Sequence, residues 1–183
     1  MTLRALLLLI GLTSVSAQGT DVPELKAIEA RYDQTQFAKN EVLREKYILE
    51  LAALRWKLSH NGKDGWEAVD AEILKHPAPS KPDAKALLKL RTGKWLSPRH
   101  DYLYRADGTW VMDPDDQDPE ATHGTWTLTG NRYVTTVDSE LKTVYVIILL
   151  DAHTFIYAEP DATTVFYESR PGKGRLPLRR DDP

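Results

Sequence analysis

There is no cysteine anywhere in the 183 residues, which excludes a disulfide framework, a thiolate metal site, a cysteine nucleophile and a lipoprotein attachment site. An excess of either charge is also lacking. With 24 Lys and Arg against 27 Asp and Glu, the formal charge is −3, or 23 against 27 and −4 once Arg4 is removed with a leader, so nothing in the balance draws the chain to nucleic acid. Catalytic signatures are missing too: there is no Gly-x-Ser-x-Gly elbow, Walker loop, dinucleotide fingerprint or His-Glu-x-x-His. The histidines at 60, 76, 100, 123 and 153 are dispersed, with no pair at the helical zinc spacing. No metal site, cofactor or catalytic residue is expected.

Long hydrophobic runs are scarce. Ala5 to Ile10, after Arg4 and before Val15-Ser16-Ala17, is too short to span a bilayer about 30 Å thick and reads as a secretory signal peptide over residues 1–17. The mature chain, about 165 residues starting near Gln18, is long enough for one substantial core. Export without disulfides suits a bacterial periplasmic or extracellular protein, with no transmembrane segment in the mature chain.

From Asp21 to about His60 the chain is rich in Ala, Leu, Glu, Lys and Arg and has no internal glycine, which predicts a long helix that bends or divides between Gln34 and Asn40. Tyr47, Leu51, Leu54 and Leu58 step along one face of it. Asn61 to Gly65 supplies a stop and a turn, with Asp64 as a cap, and Trp66, Val69 and Ile73 predict a second helix folding back as an αα-hairpin. The hairpin region is 18–76. Pro77, Pro79 and Pro82 make 77–87 a linker, and Asp83 to Leu90, which overlaps its end, reads equally as a short helix or the approach to a strand.

Beyond the linker the period changes to two. Eight short strands are predicted at 93–97, 101–105, 109–112, 124–128, 132–136, 143–150, 154–158 and 163–168, separated by turn compositions such as Ala106-Asp107-Gly108 and Thr129-Gly130-Asn131. Sequential hairpins give an antiparallel up-and-down meander over 88–169, with a disordered tail at 170–183. The fold class is therefore α+β.

The triplets Gly93-Lys94-Trp95, Gly108-Thr109-Trp110 and Gly124-Thr125-Trp126 recur about one hairpin apart, and Asp107 precedes the second. Glycine accepts φ > 0 at a turn and tryptophan anchors one sheet face. This pattern resembles the lipocalin-like small-barrel domains, in which Gly-x-Trp opens the first strand and later hairpins carry Asp-Gly-Thr-Trp. The resemblance covers under half of the chain and implies a barrel or half-barrel. Its interior would either hold a small apolar ligand or be filled, as in relatives that act as inhibitors, adhesins or accessory modules. The helices precede the sheet here, the reverse of the lipocalin order, and the hairpin is of a kind found in bacterial envelope proteins.

Alternation places Tyr102 with Tyr104, Trp110 with Met112, Trp126 with Leu128, and Phe155 with Tyr157 on common strand faces. Tyr102, Tyr104, Trp110, Trp126, Tyr133, Phe155 and Tyr157 are therefore the candidate ligand-binding residues, either lining a pocket for a small apolar or sugar-like ligand or forming a platform for an envelope protein partner. The alternative is that they are simply the filled core. Asp113 to Glu120 begins like a calcium loop but lacks its glycine and third acid, so it reads as a solvated turn. A non-catalytic binding or scaffold protein is the expectation. Its alternatives are a homo-oligomer paired through the first helix, and a hydrolase using a carboxylate with His100 or His123.

Overall fold

The computed structural model describes residues 21–79, 84–114, 122–137, 140–160 and 163–172. The leader, residues 115–120 of the acidic turn and residues 173–183 of the tail lie outside them.

The predicted long helix is three shorter pieces. α1 (Pro23–Glu29) ends at Ala30, a 3-10 turn covers Gln34–Gln36, and α2 runs over Glu41–His60. Two polar side chains make the breaks. Asp33 accepts the Thr35 backbone N–H, and Asn40 caps α2 by accepting the Leu43 N–H at 3.1 Å, each satisfying a donor that a continuous helix would have used. α3 (Trp66–Leu74) follows Gly65, whose φ of +98° makes it, rather than Asp64, the residue that turns the chain into the helix. The proline-rich stretch is followed by α4 (Ala84–Arg91), so the ambiguous segment is helical from Ala84 onward. The amino-terminal region is thus a small helical layer and not a simple hairpin.

All eight predicted strands form: β1 (Gly93–Leu96), β2 (Asp101–Tyr104), β3 (Thr109–Met112), β4 (His123–Thr129), β5 (Arg132–Val137), β6 (Leu141–Leu150), β7 (Thr154–Ala158) and β8 (Val165–Ser169). Each pairs antiparallel with its sequence neighbour, and the sheet closes into a barrel. Closure between β1 and β8 rests on the Leu96–Ser169 pair, whereas β1 and β2 match from Gly93–Tyr104 to Leu96–Asp101. The wall is thin at that seam.

The seam is braced at one end by Arg170, which is ordered here and not part of a disordered tail. Its guanidinium lies 4.3 Å from the Trp95 ring centre and donates to the carbonyls of Leu90, Thr92 and Lys94 at 2.8, 2.6 and 3.1 Å. Gly93 makes room for it. At φ +114° any Cβ there would also sit 2.5 Å from Arg170 Nη1.

Two cores share the sheet. Inside the barrel, Trp95, Tyr104, Trp126, Tyr133 and Phe155 pack together. On the outer face of β6 to β8, Ile148, Leu149, Ile156, Val165 and Tyr167 meet Tyr47, Leu51, Leu58, Val69 and Ile73 of the helices. A register shift between Ile147 and Leu149 allows the consecutive Ile148 and Leu149 both to join the outer core while Ile147 and Leu150 belong to the inner one. Arg44 secures the shift by donating to the Ile148 carbonyl at 2.8 Å.

Candidate functional site

Period-two alternation delivers one row of side chains from each strand to the barrel interior. Tyr102 faces Met112 across β2 and β3, Tyr104 faces Trp110, and Tyr133 faces Tyr145 across β5 and β6. Together with Thr122, Thr135, Val137 and Tyr157 these residues line a half-open cavity of about 250 Å³.

Five of the seven candidates read from the sequence, Tyr102, Tyr104, Trp110, Tyr133 and Tyr157, line this space. Trp126 and Phe155 do not line it, and they are buried in the barrel core. Trp126 is held there because its indole N–H donates to the Thr109 carbonyl at 3.0 Å, and Phe155 because it stacks on Tyr157 with ring centres 4.6 Å apart. Sequence reasoning missed Met112, Thr122, Thr135, Val137 and Tyr145 as lining residues. The signal for four of them was present: Met112 shares the face of Trp110, Thr135 and Val137 share the face of Tyr133, and Tyr145 lies directly across from it.

An ion pair sits among the same tyrosines. Arg91, the last residue of α4, enters the barrel, where its Nη1 and Nη2 donate to Glu168 Oε2 and Oε1 at 2.8 and 3.0 Å. Both residues are 0% exposed. The guanidinium also lies 3.5 Å from the Tyr104 ring centre and 4.2 Å from that of Phe155, a geometry in which the ring faces help replace lost water. Tyr157 and Tyr104 donate to Glu168 Oε1 at 2.8 and 3.3 Å, and Tyr133 donates to the Tyr104 hydroxyl at 3.2 Å. The charge is thus spread over a bidentate pair and a chain of hydroxyls.

Burial raises the pKa of Tyr104 and Tyr157 well above the ordinary phenol value, with Glu168 adding to it. Burial also raises Tyr133, which the Arg91 charge partly offsets, leaving it at about 12. All three hydroxyls therefore stay protonated as donors near neutral pH. Arg91 is desolvated, which disfavours its charge, but Glu168 outweighs this and keeps it cationic.

A second cavity, about 480 Å³, opens at the β1–β8 seam. It combines the interior residues Tyr102, Tyr157 and Phe166 with Arg55, Val165 and Tyr167 from the helix-facing side and Ser97 to His100 from the β1–β2 turn. His100 Nδ1 is 2.8 Å from Asp113 Oδ2, and Asp113 holds φ +46° while its other carboxylate oxygen accepts the Asp101 N–H at 2.8 Å. A positive φ in a non-glycine residue is strained, and here the two carboxylate bonds hold it. Ser97 is not aimed as a nucleophile. Its hydroxyl donates to the His100 carbonyl and accepts the Arg99 and His100 N–H groups.

A broader hollow of about 690 Å³ lies over Arg105, Asp107, His123 and Thr125. Arg105, Asp107, His123 and Thr125 are exposed, so this is a shallow dish on the barrel wall. Among the described residues no group of three or more His, Asp or Glu is placed to hold a metal ion, and no helix is long and apolar enough to cross a membrane. No protein-family model, curated protein or solved structure matches the chain.

Proposed function

We propose that this chain is an exported binding protein whose barrel receives a small ring-bearing ligand, apolar or sugar-like. The observation that carries this reading is the 250 Å³ cavity walled by five tyrosines and Trp110. Rings of that kind offer flat faces to a ligand ring, and the Tyr102 hydroxyl, outside the Glu168 network, offers orientation. The volume is below the roughly 300–1,000 Å³ of drug-sized pockets, which suits a monosaccharide or an aromatic molecule of up to about three rings and not a long acyl chain.

Filling the space tests the idea. Titration with the neutral fluorophore N-phenyl-1-naphthylamine, and separately with a panel of monosaccharides followed by tryptophan emission, should give saturable one-to-one binding by at least one probe. T135F should abolish that binding while leaving the circular dichroism spectrum intact. Absence of binding by every probe, or binding indifferent to T135F, refutes the reading.

One observation favours a catalytic alternative. His100, oriented by Asp113 at 2.8 Å and lining the seam cavity, has the arrangement of a general base. With Ser97 engaged by backbone, the nucleophile would be water. Hydrolysis of simple ester or glycoside substrates that disappears in H100A supports it, and activity unchanged in H100A eliminates it. Pairing of copies through the first helix is disfavoured, because Leu51, Leu54 and Leu58 are buried within this chain's own core. Sedimentation should show a monomer.

A further inference from the structure

The seam cavity differs in chemistry from the barrel cavity. Three basic side chains, Arg55, Arg99 and His100, line it, and no carboxylate among the described residues does. The nearest acids are already engaged. Asp70 is buried under Tyr167, which donates to it at 2.7 Å, and lies 3.4 Å from Arg55 Nε. Asp113 is bonded to His100 and to the Asp101 backbone.

Arg55 is held in place and only partly used. Its guanidinium rests 4.9 Å from the Trp66 ring centre and 5.2 Å from that of Tyr167, yet no hydrogen bond from its Nη1 or Nη2 forms among the described residues. Arg99 is exposed and has no carboxylate partner among them. A pre-placed guanidinium with unused forked donors is the group that recognises carboxylate, sulfonate or phosphate oxygens.

Tyr102 and Tyr157 line both cavities. The seam therefore adjoins the barrel space where the β1–β8 pairing is limited to Leu96–Ser169. Resting on the reading of the barrel cavity as a binding site, we propose that its ligand is an aromatic anion whose ring lies in the barrel space where Tyr102 and Tyr157 join the two cavities and whose anionic group projects into the seam. Its ring sits against Tyr102, Tyr157 and Phe166, and its anionic group is held by Arg55 and Arg99.

A matched pair of probes separates this proposal from the reading beneath it. 8-Anilinonaphthalene-1-sulfonate and N-phenyl-1-naphthylamine share a ring system, and only the first carries an anion. Fluorescence titration of the full chain should show the sulfonate binding about tenfold or more tighter, as expected for a charge-assisted hydrogen bond. R99Q, at an exposed position, should remove most of that preference. R55K, which keeps the charge but loses the fork, should reduce it. Both variants should leave the neutral amine within about twofold, since neither side chain lines the barrel space. Equal affinity for the two probes, or a preference untouched by R99Q and R55K, overturns the anion site and leaves the barrel reading standing. Failure of both probes to bind overturns the anion site, and the barrel reading falls with it only if the monosaccharides fail as well.

Discussion

Trp110 and Trp126 are tied reciprocally: each indole N–H donates to the carbonyl of the threonine that precedes the other, Trp110 to Thr125 at 3.2 Å and Trp126 to Thr109 at 3.0 Å. The two Gly-Thr-Trp triplets of β3 and β4 are in register, Thr109 against Thr125 and Trp110 against Gly124. Repetition of the triplet therefore has a structural cause. Each copy supplies the acceptor that the other copy's buried donor needs.

Replacing these indoles should have unequal effects. W126F trims a buried indole to a phenyl ring and removes its hydrogen bond, and should cost about 2–4 kcal/mol in urea denaturation. W110F acts at the edge of the barrel cavity and should cost less while altering ligand affinity. Equal losses of stability with no change in binding would contradict the placement of Trp110 at the cavity.

Gly124 should tolerate nothing larger. A Cβ there would lie 1.8 Å from the Thr136 carbonyl oxygen and 2.9 Å from Trp110 Nε1, so G124A must push β4 off β5 or displace the indole. Loss of soluble protein, or destabilisation by more than about 4 kcal/mol, is expected. Gly62 has φ +62° with nothing near it, and G62A should cost only about 1 kcal/mol of backbone strain. Denaturant midpoints of the two variants make the comparison.

The Arg91–Glu168 pair should behave as a unit. R91M strands a buried carboxylate and should cost about 3–5 kcal/mol, whereas R91M with E168L exchanges both charges for apolar volume and should recover much of that loss. A double-mutant cycle by chemical denaturation measures the coupling. Strictly additive losses would mean that the two side chains do not interact in solution.

Acid should act through Glu72. Burial opposes its charge, but hydrogen bonds from Lys75, His76 and Tyr47 outweigh that and bring its pKa from 4.5 to about 2. The unfolded chain, with the higher value, takes up the proton first. The contribution is therefore complete above about pH 4.5 and is lost as pH falls toward 2, on the order of 3 kcal/mol in all. Stability curves of the parent and E72Q should converge over that interval, and parallel curves would refute the assignment.

The barrel was legible because alternation is local: each strand's inward row could be read from residues two apart, and turn residues marked the ends. The split of the first helix was harder. Asn40 before Glu41-Val42-Leu43 is a cap signature, yet a helix-rich composition on both sides obscured it, as it obscured Asp33. Arg91 and Glu168 were not legible at all. Arg91 follows Lys85 and Lys89 on a basic helix, where a solvated face is the natural reading, and its partner lies 77 residues away. Only chain closure brings them together. The seam cavity was hidden for the same reason, since α2, the β1–β2 turn and β8 meet only in three dimensions.

The shifted register at Ile147 to Leu149 has a bearing on how the molecule melts. One strand supplies adjacent residues to both cores, so the helical layer and the barrel cannot lose order independently: separating them would leave Ile148, Leu149 and Ile156 facing water. The prolines after His76 divide the sequence by composition, but cooperativity runs across them. Cutting the chain there would yield a barrel with a bare aliphatic flank, prone to self-association, in place of a freestanding module.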